Sequence, residues 1–244
     1  MINVFSKTDI GRVRKVNQDA VKTEVISDNL AWSVVCDGMG GQAGGDIASN
    51  IAVIMISKFL SDNLSELKTS DEIKSVIYEA VSSANQAIYL KSEKDKNLKN
   101  MGTTVIVCVV SMNKLYVAHM GDSRAYLISD DEITQITTDH SMVQEMLDNG
   151  KLTIEEARNH PQKNIITRAL GVNPEIKLEY NTLDIKKGNI ILSCTDGLTN
   201  TVEEQDIYNI CKKCNNKEEA VGKLISKGNK NGGNDNITVS LICC

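Results

Sequence analysis

Aspartates recur in this chain where apolar runs end or begin. Val34-Val35-Cys36 runs into Asp37-Gly38-Met39-Gly40-Gly41, and Ile190-Ile191-Leu192-Ser193-Cys194-Thr195 runs into Asp196-Gly197. Asn234-Asp235-Asn236 precedes Ile237-Thr238-Val239, Met120-Gly121-Asp122-Ser123 closes another apolar run, and Asn17-Gln18-Asp19 opens one. A single Asp-Gly after a strand is ordinarily a turn. Repeated at several strand ends, the pattern points to convergence, because a strand end is a rigid platform and a glycine lets backbone approach a ligand closely. Two carboxylates about 4 Å apart repel by roughly 4 kcal/mol at an effective dielectric near 20, so a converged set demands cations or protonation. All-oxygen ligands without clustered His or Cys select hard ions, magnesium or manganese.

Other patterns offer rival chemistry. Gly38-Met39-Gly40-Gly41-Gln42-Ala43 fits the dinucleotide fingerprint G-x-G-x-x-A, but Asp37 would set an anion beside the pyrophosphate. No second parallel strand ending in an acid follows, and no Gly-Lys-Ser/Thr is present for a Walker loop. Thr138-Asp139-His140-Ser141 holds an Asp, a His and a Ser, yet adjacent residues cannot adopt triad geometry, and Asp139 or Ser141 reads as a helix cap. Cys211-Lys212-Lys213-Cys214 has the spacing of half a zinc site without a second CxxC or a spaced histidine pair. Arg14, before Asp19 and read on the edge of a strand, is a fork for two phosphate oxygens. Bound cations would let an acidic protein accept an anionic phosphate there.

The elements that must position these residues follow from periodicity. Short apolar or alternating runs over 2–8, 20–27 and 31–36 read as strands. Ile47, Ile51, Ile54, Met55 and Leu60 give a helix over about 46–60, and Ser70 reads as the N-cap of a second helix through Ile88. Residues 103–110, 114–120, 124–128 and 132–137 read as an antiparallel meander, and 141–158 as helical pieces split by Asn149-Gly150. Strands follow near 176–183, 190–194 and 236–242, with helices near 203–213 and 217–227. Grouped strands and paired helices, without regular βαβ alternation, predict antiparallel sheets covered by helices.

Composition narrows the function classes. A chain of 244 residues, 41% hydrophobic and 24% charged, buries a full core without disulfide or metal staples, and no repeat or proline-rich linker divides it. One domain spanning 1–244 is expected. No apolar run approaches the roughly 20 residues of a membrane span, and the start of the sequence lacks a secretory apolar core, so a cytoplasmic protein without stable membrane insertion is expected. A net charge of −5 argues against nucleic acid as partner. Seven cysteines, mainly in apolar surroundings, read as reduced thiols packed as small hydrophobes.

Taken in order, Arg14-x-x-Asn17-Gln18-Asp19, Asp37-Gly38-Met39-Gly40-Gly41, Met101-Gly102-Thr103-Thr104, Gly121-Asp122-Ser123-Arg124, Thr138-x-His140-Ser141, Asp196-Gly197 and Asp235-Asn236-Ile237-Thr238 resemble one family across nearly the whole chain. It is the type 2C metal-dependent protein serine/threonine phosphatases, the PPM family. Glu155-Glu156-Ala157-Arg158, His160-Pro161 and Thr167-Arg168-Ala169-Leu170-Gly171 resemble the bacterial members that oppose membrane Ser/Thr kinases with PASTA repeats.

The resemblance implies an α+β fold, a four-layer α-β-β-α sandwich of two antiparallel sheets flanked by helix pairs, with a mobile flap at about 142–166. It implies direct hydrolysis of phosphoserine and phosphothreonine by a water activated between two Mn(II) or Mg(II) ions. Asp37 would bridge the ions, with the Gly38 carbonyl, Asp196 and Asp235 as further ligands, and Asp122 would serve a weaker third ion with Asp196. Arg14 would clamp the phosphate, while Gln18, Asp19 and Asn236 would support the centre from behind. Phosphorylated proteins would be the partners of a monomeric enzyme. Gln18 stands where many members have glutamate, and Met39 where eukaryotic members carry a histidine thought to protonate the leaving group. A metal-dependent nuclease and a phosphopeptide-binding pseudophosphatase are the alternatives. The acidic balance opposes the first, and the presence of Asp37, Asp196 and Asp235 opposes the second.

Overall fold

A computed structural model describes residues 1–40, 44–158 and 160–244. Gly41-Gln42-Ala43, the second half of the dinucleotide pattern, lies outside the described residues. The chain runs β1 (Asn3–Asp9), β2 (Asp19–Ser27), β3 (Leu30–Met39), α1 (Gly45–Asn63), α2 (Ser70–Lys94), a 3-10 turn (Lys96–Leu98), β4 (Gly102–Thr103), β5 (Val105–Ser111) and β6 (Lys114–Met120). It continues through β7 (Arg124–Ile128), β8 (Ile133–Gln135), α3 (Met142–Asp148), α4 (Ile154–Arg158), β9 (Glu179–Asp184), β10 (Ile190–Cys194), α5 (Asp196–Thr199), α6 (Glu204–Lys213), α7 (Lys217–Lys230) and β11 (Ile237–Cys243).

Two antiparallel sheets result, one ordered β1-β11-β10-β7-β8 and the other β2-β3-β5-β6-β9 with β4 on β3. Both faces of each sheet are covered, which is why the strands read as unbroken apolar runs instead of alternating ones. In β5, Val105, Val107 and Val109 pack under α1 and α2 with Trp32, Ile56 and Ile77, while Ile106, Cys108 and Val110 face the other sheet. In β10 and β11, Leu192, Val239 and Leu241 pack under α6 and α7 with Ile207 and Leu224, while Ile191 and Ile242 turn to the inter-sheet layer. The period of 2 thus assigns alternate residues to different layers. The predicted four-layer α-β-β-α sandwich is the observed fold.

The predicted meander is not. β5–β6 and β7–β8 are hairpins, but β6 belongs to one sheet and β7 to the other. The chain changes sheets at Gly121, whose φ of +115° breaks the strand, and a Cβ there would lie 2.6 Å from the Thr104 side chain. Register then puts the chemistry at one end. Asp19 pairs with Asp37, Val105 with Met120, Arg124 with Cys194 and Asp9 with Ile237. The segments just beyond these pairs, carrying Arg14, Asp37, Asp122, Asp196 and Asp235, all emerge on the same edge of the sandwich.

Boundaries differ from expectation where caps decide. Thr69, not Ser70, caps α2: its hydroxyl accepts from the Glu72 amide and the Glu72 carboxylate accepts from the Thr69 amide at 2.7 Å. Ser70 opens the helix and hydrogen-bonds the Tyr116 hydroxyl instead. Ser141 does cap α3, while Asp139 pairs with Arg124. Arg14 lies beyond the end of β1, in the irregular stretch before β2, and not on a strand edge. Replacing Thr69 with Ala should cost about 1 kcal/mol of unfolding free energy, read as a lower urea midpoint at unchanged slope.

Candidate metal centre

One cavity of about 720 Å³ opens at the convergent edge, lined by Arg14, Gln18, Asp37, Gly38, Met39, Asp122, Asp196, Asp235 and Asn236 among others. The predicted carboxylates are therefore brought together, apart from Asp19, which sits behind the wall and is buried. Asp19 Oδ2 accepts from the hydroxyls of Thr195 (2.8 Å) and Thr238 (2.7 Å), which face each other where β10 ends and β11 begins. Its Oδ1 is buried without a hydrogen-bond partner among the described residues.

Local sequence explains the placement. Asp37 lies near the end of β3, and its peptide is held on both sides by the Met101–Thr104 stretch: its N–H donates to Thr104 Oγ1 at 2.9 Å, and its carbonyl accepts from the Thr104 amide and the Thr103 hydroxyl. Thr104 Oγ1 also meets Ser123 Oγ at 2.8 Å, which ties Asp37 to the turn bearing Asp122. Asn236 accepts from the Gln18 amide and donates to the carbonyls of Ile10 and Val16, so it staples the stretch bearing Arg14 to the start of β11. Gly38 and Gly197 also lie where main chain packs on main chain. A Cβ would lie 2.0 Å from the Gly45 carbonyl oxygen at the first and 1.9 Å from the Asn236 carbonyl oxygen at the second, so these glycines let backbone approach backbone.

Charge accumulates accordingly. Burial, then repulsion from Asp19, Asp196, Asp122 and Asp235, holds the Asp37 carboxyl well above the usual carboxylate range. Burial pushes Asp122 up to about 8, with Asp196 and Asp139 adding repulsion. Burial likewise raises Asp19 to about 7 against its two threonine hydrogen bonds, and Asp196 to about 6 with repulsion from Asp235 partly offset by Arg14. Arg14 donates from Nη2 to Asp235 Oδ2 at 2.7 Å. The guanidinium predicted to hold phosphate is thus anchored on a predicted cation ligand. All-oxygen donors whose charges push each other toward protonation fit hard divalent cations.

Among the described residues, the trio of ligand-type side chains whose atoms close within 4.8 Å is His119, His140 and Glu179, which sequence reasoning passed over. The aspartates line one cavity without any three drawing that close, as unscreened like charges do. The trio is a poor cation site. His140 Nδ1 accepts the Gly121 N–H at 3.1 Å, so its proton is on Nε2, and Arg168 Nη1 lies 3.1 Å from that nitrogen. Cys211 and Cys214 gather no third ligand among the described residues, and Lys223 Nζ lies 3.3 Å from Cys214 Sγ.

The raised carboxyls fix a pH dependence for chelated protein. From an ordinary value of 3.8, Asp196, Asp19 and Asp122 rise to about 6, 7 and 8, so the folded state binds protons more tightly than the unfolded chain. Their contribution is fully present below 3.8 and is lost as pH climbs through those values. The melting temperature in chelator should therefore fall between about pH 5 and about pH 8, and calorimetry showing a rise over that window would contradict the clustering.

Known proteins share this sequence pattern and fold. The sequence pattern of the family described as Protein phosphatase 2C matches residues 11–225. The chain is 37% identical over 236 residues to the serine/threonine phosphatase stp of Listeria monocytogenes, covering 97% of this chain and 93% of that one. In structure it resembles the Streptococcus agalactiae serine/threonine phosphatase at a TM-score of 0.92 and 31% identity, with 100% and 99% of the two chains covered. The catalytic domain of the serine threonine protein phosphatase PstP, in complex with two manganese ions, aligns at a TM-score of 0.84 and 31% identity, covering 99% and 97%. With the family's sequence pattern and the fold in agreement over most of its length, the chain belongs to the protein phosphatase 2C family.

Proposed function

We propose that this protein is a metal-dependent serine/threonine phosphatase that removes phosphate from phosphoserine and phosphothreonine in proteins. The observation that carries the reading is the single cavity where Asp37, Asp122, Asp196, Asp235 and Arg14 meet, in a chain of this family. Asp37, the Gly38 carbonyl, Asp196 and Asp235 would hold two Mn(II) or Mg(II) ions, and Asp122 with Asp196 a weaker third. The manganese-bound relative supports that choice of ion. When bound, the ions would supply a water of lowered pKa for in-line attack at phosphorus and offset charge on the phosphate oxygens. On the resemblance of its motifs to the bacterial members, we read it further as a cytoplasmic monomer, one domain over 1–244, that reverses a membrane Ser/Thr kinase bearing PASTA repeats. No helix among the described residues is long and apolar enough to cross a membrane.

The chain's own residues supply orientation and proton control. A guanidinium carries five N–H donors, so the bond to Asp235 uses part of the Arg14 fork and leaves the remainder for phosphate oxygens. Asp235 thereby fixes Arg14 before substrate arrives. Asp19, Gln18 and Asn236 hold the walls. Segment 142–166 would act as a flap, and its Asn164 lines the cavity with Ile166 at its border.

Asp37→Asn should lower manganese-dependent phosphate release from a phosphothreonine peptide by about a hundredfold or more, because one charge offsets both cations. Manganese should also raise the melting temperature of the wild-type protein relative to chelator, by binding only the folded state. Near-normal turnover of the variant at saturating manganese, or cleavage of single-stranded DNA by the wild type, would reject the assignment.

Met39 lines the cavity and has no proton to donate to a departing serine alkoxide. General acid catalysis is worth about 10²–10⁴-fold, and p-nitrophenyl phosphate needs little of it. The rate should therefore depend steeply on leaving-group pKa, and Met39→His should flatten that dependence by favouring alkyl phosphates. Parallel slopes for the two forms would leave proton delivery to water.

A further inference from the structure

We propose that His140 is a positioning residue that locks the turn bearing Asp122 to the stem of segment 142–166. The proposal rests on the reading of Asp122 as a ligand of the weaker third cation. His140 exchanges bonds with Gly121 in both directions: its amide donates to the Gly121 carbonyl at 2.9 Å, and its Nδ1 accepts the Gly121 N–H at 3.1 Å. Gly121 is the residue at which the chain changes sheets, directly before Asp122. His140 also starts the stem. Its carbonyl accepts from Thr167 N–H at 2.8 Å, and the next pair along, Ser141 with Ile166, forms an isolated antiparallel bridge.

The other edge of the ring faces the stem's return. His140 Nε2 lies 3.1 Å from Glu179 Oε2 and 3.1 Å from Arg168 Nη1, and the ring stacks on His119 of β6 at 4.7 Å and 11°. Because Nδ1 accepts an N–H, the ring is neutral with its proton on Nε2, donated to Glu179. One side chain thus spans the Asp122 turn on its Nδ1 side and the stem exit on its Nε2 side. Just beyond this stem Leu170 bridges Thr103, so the stem and that bridge together set the position of Asn164 and Ile166 in the cavity wall.

Two substitutions separate the halves. His140→Asn keeps an acceptor oxygen near the place of Nδ1 but cannot reach Glu179 or Arg168, whereas His140→Ala removes both links. In metal-free protein followed by NMR, the Gly121 amide should exchange about tenfold faster or more in His140→Ala, and near the wild-type rate in His140→Asn. The manganese concentration giving half-maximal turnover should rise about tenfold in His140→Ala and stay near wild type in His140→Asn. Both variants should raise KM for a phosphothreonine peptide more than for p-nitrophenyl phosphate. Glu179→Ala, which leaves the Gly121 link intact, should behave like His140→Asn and serves should either histidine variant fail to fold.

Equal loss of Gly121 protection in the Asn and Ala variants, or unchanged protection in His140→Ala, would overturn the proposal. Asp122→Ala is the control for the underlying reading. If it leaves the manganese requirement unchanged, Asp122 is no ligand, and the Gly121 exchange rates alone still decide whether His140 positions the turn.

Discussion

Like charge gathered at one edge of two docked sheets is the constraint from which the rest of the structure follows. Asp19, Asp37, Asp122 and Asp196 are close enough for mutual repulsion to add to burial in disfavouring their ionised forms. No single element could hold such a group. Each carboxylate comes from a different strand end, and polar side chains from neighbouring segments secure several parts of the site. The hydroxyls of Thr195 and Thr238 satisfy one oxygen of Asp19, Thr103 and Thr104 clasp the Asp37 peptide, and Asn236 secures the loop carrying Arg14. The core beneath supplies the rigidity. Three apolar layers fix the strands so firmly that their ends have little freedom to relax away from one another.

Much of this was legible in the chain. Runs such as Val105-Ile106-Val107-Cys108-Val109-Val110 read as strands, and aspartates at the ends of such runs marked the site. Sheet membership was hidden, because a strand covered on both faces has the same composition in either sheet. The β6–β7 crossing was therefore read as a hairpin-like continuation. The threonines that hold Asp19 and Asp37 escaped notice for a related reason: threonine in a strand reads as β-propensity until its hydroxyl partner is seen. Thr103-Thr104 at the start of a wholly apolar strand was the available signal. Asn236 was expected behind the centre, but its ties to Ile10 and Val16 were not foreseen. His140 was dismissed by local context, and its stacking on His119 depends on a contact between β6 and the stem that no sequence spacing encodes.

The glycines carry a lesson about inference from motif to mechanism. Asp-Gly at a strand end was taken as a device for approaching a ligand. At Gly197 and Gly38 the space is occupied by another stretch of main chain, so the motif records how tightly the strand ends crowd together. Crowding and ligand binding are linked, since only closely packed ends bring carboxylates within each other's field.

The order of strands also governs how the protein comes into being. β11 lies inside its sheet between β1 and β10, joining segments from opposite regions of the sequence, and Asp235 precedes it. A growing chain can pair β2, β3, β5 and β6 early, through largely sequential hairpins, and bury them under α1 and α2. It cannot complete the second sheet until β11 has left the ribosome, since β1 has no other strand partner among the described residues. Nascent chains would thus pass through a half-built state in which an apolar sheet face and several unscreened acids are exposed together, a species prone to association and dependent on chaperones. Pairings between distant segments make that last closure slow, and catalytic competence would be acquired only once β11 has joined its sheet.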